Sequence, residues 1–309
     1  LVSLSDGGKD AKTIREFNLK TQSFVENGFY IPESKSDASF IDENTLLIGD
    51  ATDEKTLTKS GYPALIRVLK RGQKLNEAKI VFETKSKSNV AVWTYTERLN
   101  NKSERDCIIM NSISFYESEY YFLNSKNYNL TKLPIPVFVE MNGIFNDHIF
   151  FSIRKDFKTF KAGSLLALSK SQLLEVEPKF ELVFEPTDSE VLNYVTFSKN
   201  NLWIGTLKDV KNNIYKYKKE KSKWEVTKLE ISGQNGEYSL TSTSDESENI
   251  YFSYYDFLTP TIVFHVNENN LKKSKSILQT PKRFDSKKLK FSQLKTKSAD
   301  GTLIPYFIV

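Results

Sequence analysis

The sequence has 309 residues and a net charge of +5, and its 39% hydrophobic and 13% aromatic content, with 22 Phe and 15 Tyr, excludes a disordered chain. The basic residues are mostly Lys, scattered as in Lys85, Lys87, Lys218, Lys219, Lys272 and Lys273; a nucleic-acid reader would be expected to gather Arg on one stripe. One cysteine, Cys107, excludes an intrachain disulfide and fits a reducing, cytoplasmic compartment, and no apolar stretch approaches the ~20 residues that span a bilayer.

In chain order, residues 1–4 read as a strand entering a turn at Asp6-Gly-Gly8, without the charged region of a signal peptide. Residues 13–19 and 23–25 read as a hairpin across Lys20-Thr21, too few strands for a full four-stranded unit. From Ala38 onward the chain repeats itself. Strands are predicted at 38–41, 45–49, 64–69 and 79–82, then at 90–95, 106–115, 120–123 and 130–133. A third unit, 137–184, carries a short helix at 171–175, and further units run over 191–229 and 237–278. Each unit contains one uninterrupted apolar run: Thr45-Leu-Leu-Ile-Gly49, Asp106-Cys-Ile-Ile-Met110, His148-Ile-Phe-Phe-Ser152, Asn201-Leu-Trp-Ile-Gly205 and Asn249-Ile-Tyr-Phe-Ser253. Each is expected to be the second strand of a four-stranded sheet, and the spacing of roughly fifty residues is that of a propeller blade. Gly49 and Gly205 close equivalent second strands, where glycine marks a close backbone approach. After Pro281 the pattern changes. Residues 288–295 and 304–309 read as two strands around an Asp300-Gly301 turn.

The residue types needed for chemistry do not come together. None of the 12 glycines belongs to a Gly-x-Ser-x-Gly elbow. His148 and His265 lie far apart, and one Cys with two His gives no zinc spacing. No phosphate loop or dinucleotide fingerprint is present. Loop carboxylates such as Asp50, Asp53, Glu54 and Asp209, and the run Asp245-Glu-Ser-Glu248, lack the alternating donors of a calcium loop. Asn101-Lys-Ser103 and Asn129-Leu-Thr131 match the glycosylation acceptor pattern, which is common by chance. No catalytic, cofactor-binding or metal-binding residue, and no cofactor, is expected.

Several segments carry a family resemblance. Ser298-Ala-Asp-Gly-Thr-Leu-Ile-Pro-Tyr-Phe-Ile-Val309 resembles the passage by which prolyl oligopeptidases run from their propeller into an α/β-hydrolase domain. Asp256-Phe-Leu-Thr-Pro-Thr261 is similar to the same family's last blade. Ser5-Asp-Gly-Gly-Lys-Asp10 followed by Thr13-Ile-Arg-Glu-Phe-Asn-Leu19, then Ala162-Gly-Ser-Leu-Leu-Ala-Leu168 and Phe184-Glu-Pro-Thr187, resemble bacterial members. The resemblance implies an all-β propeller of four-stranded antiparallel blades, seven in the full protein, with about five complete and one partial in this chain. It implies an incomplete propeller over 1–283 and, over 284–309, a hairpin leading into an absent hydrolase domain that holds the Ser-Asp-His triad of a serine peptidase cleaving after proline. The partners it implies are that hydrolase domain and oligopeptide substrates; the scattered lysines and the lack of a long apolar stretch give no expectation of nucleic acid or membrane. The fragment is expected to be inactive alone, and its unclosed edges to promote association. The loops joining second and third strands should face the hydrolase, which makes Asp50, Tyr62, Arg154, Asp209, Tyr255 and Asp256 candidates for interdomain or substrate contact. Ordinary loop solvation is the competing account for each. A stand-alone propeller binding proteins or peptides is the alternative function, and a nucleic-acid-binding propeller a third.

Overall fold

The computed structural model describes residues 1–98, 105–221, 223–230, 236–244 and 246–309, so the Asn101-Lys-Ser103 triplet and Asp245 lie outside the described residues. The chain opens with β1 (Val2–Leu4), β2 (Lys12–Arg15), β3 (Phe17–Asn18), β4 (Ser23–Phe24) and β5 (Tyr30–Ser34). β1, β2 and β5 form a three-stranded sheet, and β3 pairs with β4 alone. The expected hairpin is therefore shorter than its sequence suggested. Ile14 leaves it to pair with Ser3 and Ile31, and both isoleucines are buried. β5 was not foreseen, because Ile31 is its single buried apolar residue and Pro32 interrupts it.

Four-stranded antiparallel sheets follow in sequence order. The first is β6 (Asp37–Asp42), β7 (Thr45–Asp50), β8 (Leu65–Lys70) and β9 (Lys79–Glu83). The second is β10 (Ala91–Arg98), β11 (Arg105–Ser112), β12 (Ser118–Leu123) and β13 (Leu130–Lys132). The third is β14 (Val139–Phe145), β15 (His148–Ile153), β16 (Leu165–Ser169) and β17 (Phe180–Phe184). Next come β18 (Glu190–Phe197), β19 (Leu202–Lys208), β20 (Lys211–Glu220) and β21 (Lys223–Lys228), then β22 (Glu237–Ser242), β23 (Asn249–Tyr255), β24 (Ile262–Asn267) and β25 (Asn270–Gln279). A separate hairpin, β26 (Ser292–Lys297) with β27 (Leu303–Ile308), ends the chain. All five apolar runs are second strands, as their composition predicts.

The chain divides into two compact units. The first comprises Leu1–Glu140, Asn146–Ile149 and Leu168–Phe180; the second comprises Met141–Phe145, Phe150–Ala167 and Glu181–Val309. In the first, β7 feeds two cores from its two faces. Leu46 and Ile48 pack with Ile14, Ile31 and Leu69, while Leu47 packs with Ile66, Val68, Cys107 and Ile109. In the second, β19 does the same: Leu202 and Ile204 join Phe150 and Phe197, whereas Trp203 joins Ile250 and Phe252. A strand buried on both faces reads as a continuous apolar run rather than an alternating one, which is why these strands were the clearest signal in the sequence.

Two glycines act as inferred. A Cβ on Gly49 would lie 2.0 Å from Asp37 Oδ1, and one on Gly205 would lie 2.2 Å from Tyr194 Cε1. The helix expected at 171–175 is only a 3₁₀ turn at Lys170–Gln172, with the Ser169 side chain accepting from Ser171 N. Leu174 and Val176 are 85% and 97% exposed, so no apolar face holds a longer helix.

At the end of each sheet carrying the first-to-second and third-to-fourth turns, polar clasps join neighbours. In the first unit Arg71, beyond β8, makes a bidentate pair with Glu16 at 2.7 and 2.9 Å. Lys170, beyond β16, pairs with Asp106 at 2.8 Å. In the second unit fully buried Glu268, in the β24–β25 turn, accepts hydrogen bonds from Ser198 Oγ and, at 2.8 Å, from Asn200 Nδ2.

Candidate functional site

The candidate residues all lie at the opposite end of their sheets, in the loops that join second to third strands. Asp50 closes β7 and is only 2% exposed. Its Oδ2 accepts from Arg67 Nε at 2.7 Å, and its Oδ1 accepts from Thr52 N at 3.0 Å and Thr52 Oγ1 at 2.7 Å. One oxygen is held by Arg67 of β8 and the other by Thr52, so Asp50 anchors the start of the loop to the sheet. Beyond it Asp53 caps a 3₁₀ turn, and Thr58 Oγ1 and Ser60 Oγ donate to Val90 O at 2.9 and 2.7 Å, sewing the loop to the approach to β10. Tyr62, from the same loop, is half-buried, its ring 5.5 Å from that of Trp93 and 4.5 Å below the Lys35 ammonium.

The β11–β12 loop, 113–117, holds a feature the sequence reading missed. Phe115 and Tyr116 are 85% and 67% exposed, with rings 5.1 Å apart edge to face. The apolar run had suggested a strand to residue 115. It ends at Ser112 because Ile113 N and Ser114 N both turn back to Glu117 O. The cluster of small polar residues around Ile113 was the available turn signal.

In the second unit Arg154 is exposed at the start of the 154–164 loop, which folds on itself through reciprocal backbone bonds between Phe157 and Phe160. Asp209 and Val210 form a tight two-residue turn with φ of +48° and +63°. That turn meets the last hairpin: Lys295 Nζ lies 2.9 Å from Asp209 Oδ1, and Gln293 Nε2 donates to Asp209 O at 2.6 Å. The lysine's hydrogen bond and charge hold the Asp209 carboxyl below its ordinary range.

Tyr255 is 41% exposed and its hydroxyl donates to Glu237. Asp256 is a turn cap. Burial pushes its carboxyl up, but hydrogen bonds from Tyr254 and from the Leu258 and Thr259 amides outweigh this and lower it. Phe257, between them and the hairpin, stacks against Phe291 and Phe307 at 5.4 and 5.2 Å. Cross-strand partners share a face, so Gln293 and Phe307, with Lys295, form the seated side of the hairpin, while Leu294, Ile304, Tyr306 and Ile308 form an exposed apolar side. The hairpin thus brings the Asp209 and Asp256 loops together. Asp50 and Tyr62 share a loop but engage different partners, and Arg154 stands in a loop of its own.

Among the described residues, neither histidine nor the cysteine is set as a nucleophile and base pair. His148 Nδ1 is 2.7 Å from Asn146 O, and His265 Nε2 is 2.8 Å from Asn249 Oδ1. Buried Cys107 has its thiol pushed up to about 12, chiefly by desolvation. Among the described residues no group of His, Cys, Asp and Glu is arranged to hold a metal ion, and no helix is long and apolar enough to cross a membrane. The first unit also contains a cleft of about 1380 Å³ lined by Glu16, Asp42, Glu43, Lys70, Arg71 and Arg105. Arg71 in that lining is paired with Glu16.

Known proteins share this architecture. An uncharacterized peptidase of Sinorhizobium fredii is 30% identical over the whole chain, which covers 43% of that protein. An uncharacterized peptidase of Rickettsia prowazekii is 29% identical, again over the whole chain and 45% of its own length. The solved structure of a post-proline cleaving enzyme from Rickettsia typhi superposes with a TM-score of 0.89 at 27% identity, covering 99% of this chain and 46% of that one. The chain therefore spans less than half the length of the relatives it matches. The prolyl oligopeptidase N-terminal β-propeller domain pattern matches residues 1–278, and the chain belongs to that family.

Proposed function

We propose that this chain is the gating and substrate-selecting propeller portion of a prolyl-oligopeptidase-like serine endopeptidase acting on short proline-containing peptides. The observation that carries the reading is the family match over 1–278, combined with a β26–β27 hairpin whose exposed face is apolar. That face fits a following α/β-hydrolase domain as partner, with the division near residue 283 and the catalytic triad in that domain. Loops between second and third strands would then border the path of the peptide; Tyr62, Arg154 and Tyr255 are the candidates for contact, while Asp209 and Asp256 hold the loops in shape. A propeller covering an active site admits flexible peptides, excludes folded proteins and shuts out water. The lone buried Cys107 suits a reducing compartment such as the cytoplasm.

The test is hydrolysis of a chromogenic proline-containing peptide by the chain alone and by the chain continued through the coding sequence after Val309. The short form should be inert, and the long form should cleave after proline and carry Gly-x-Ser-x-Gly, then Asp, then His. Cleavage by residues 1–309 alone, or a stop codon after Val309, would refute the reading.

A further inference from the structure

Between residues 270 and 291 the sequence places eight basic residues and one acidic residue, a local charge of +7, although the whole chain carries only +5. The remainder of the protein is slightly acidic. Three of these basic residues lie on β25 and five on the exposed segment that follows it. β25 ends at Gln279 opposite Ile262, the first residue of β24, so it delivers the chain to the end of the sheet where the β23–β24 loop lies. Segment 280–291 is then pinned to that loop at both ends. Thr280 N donates to Thr261 O at 2.9 Å, and Phe291 packs on Phe257.

Along this strap Lys282, Arg283, Lys287, Lys288 and Lys290 are all exposed, and among the described residues none of them pairs with a carboxylate. Asp285, the one acid among them, is also exposed and accepts locally from Lys287 N at 3.1 Å, leaving a clear cationic excess. Five like charges on nine residues repel one another, and a bound polyanion relieves that repulsion. The chemistry favours one class of polyanion. Lysine is a hydrated point charge that lacks the bidentate fork arginine offers to phosphates, and the strap has a single arginine. Phe284 and Leu289 stand between the lysines at 54% and 45% exposure, suited to apolar side chains of an extended peptide. The free edge of β25 is broken by two register shifts, which disfavours simple strand addition.

We propose that the 280–291 strap is a docking and steering surface for acidic oligopeptides, which it presents to the β23–β24 loop. What the peptide is delivered for rests on the function proposed above; the binding itself does not.

The experiment uses the chain of residues 1–309 and a set of proline-containing peptides of equal length, with net charge of about −4, zero and about +4, each carrying an uncharged fluorophore. The acidic peptide should bind at least about tenfold more tightly than the neutral one at low salt, and lose most of that preference by about 0.3 M NaCl. The triple variant Lys282→Glu, Arg283→Glu, Lys288→Glu should abolish the preference while keeping the thermal midpoint, since all three side chains are exposed. Equal binding of the three peptides, retention of the preference by the variant, or tighter binding of a single-stranded oligonucleotide or a phosphatidylserine vesicle than of the acidic peptide would overturn the proposal. A missing proline-specific activity in the longer protein would sink the functional reading and leave these titrations unchanged.

Discussion

Gly205→Ala isolates the packing between neighbouring strands in the second unit. Residue 205 lies in β19 with Tyr194 of β18 directly opposite. An added methyl would stand 2.2, 2.3 and 2.6 Å from Tyr194 Cε1, Cζ and Cδ1, so the ring has to move by more than an ångström. The ring is not free to do so. Its hydroxyl accepts from Leu240 N of β22 at 3.1 Å, and burial pushes its ionisation up to about 12. Overpacking costs roughly 1–3 kcal/mol and the lost hydrogen bond about 1 kcal/mol more. Against this, Ala restricts the unfolded chain and gains about 0.5–1 kcal/mol in a strand interior. The net expectation is a loss of about 2–3 kcal/mol, read as a lowered urea midpoint by tryptophan fluorescence, since Trp203 and Trp224 both lie in this unit.

The decisive comparison is the same substitution in a Tyr194→Ala background. With the ring gone, only the backbone gain remains, and Gly205→Ala should become neutral or stabilising. An unchanged cost in that background would show that the ring contact is irrelevant and that the glycine is needed for another reason.

Two further outcomes follow from buried groups in the first unit. Asp37 Oδ2 accepts from Thr94 N at 2.8 Å and Thr94 Oγ1 at 2.6 Å, but Oδ1 has no partner, and burial raises the carboxyl above its ordinary range. A raised carboxyl stabilises the fold fully below the unfolded value near 3.8 and loses that contribution as pH climbs through the folded value. Asp37→Asn should therefore stabilise the protein by about 1 kcal/mol at pH 7.5 in urea titrations, and the gain should shrink toward pH 4; a loss at pH 7.5 would contradict it. Cys107, fully buried with its thiol near 12, should resist a thiol-specific chromogenic reagent at pH 8 and react once per chain only in denaturant.

What could be read from the residues divides along a physical line. Second strands were legible because burial on both faces removes the polar alternation, and Trp203 beside Leu202 and Ile204 is the clearest instance. The Asp300-Gly301 hairpin was legible because Gly301 takes φ of +90°, a conformation its turn requires. Contacts between distant residues were not. Asp209 and Lys295 are 86 positions apart, and the sequence shows two ordinary surface charges. Asp50 reads in the sequence as a solvated or contact-making loop acid after a strand ending at Gly49, but it is the buried last residue of β7. Only the fold reveals that Arg67, in the adjacent strand, takes up its outer oxygen. Exposed Phe115 was absorbed into a strand predicted over 106–115, and Tyr116 lay just past it, because hydrophobicity alone does not distinguish a strand's end from the loop after it.

Charge is used in two ways in these sheets, in paired clasps and in the unpaired 280–291 strap, and the difference bears on the proposed function. Where first-to-second and third-to-fourth turns lie, Arg71, Lys170 and Glu268 are each satisfied by groups from a neighbouring sheet or its turn. Removing one partner there strands a buried or half-buried charge, a cost well above that of an exposed ion pair. That end is built to hold sheets together. At the other end of the second unit the cations of the 280–291 strap are left unsatisfied and wet, where a single ion pair is worth little and collective attraction reaches beyond contact distance. An arrangement selected only for stability would have no reason to gather five cations beside the Asp256 loop with a single acid, Asp285, among them. A surface that must catch and release a mobile, oppositely charged chain requires that imbalance, because pairing the lysines internally would remove the field that attracts it.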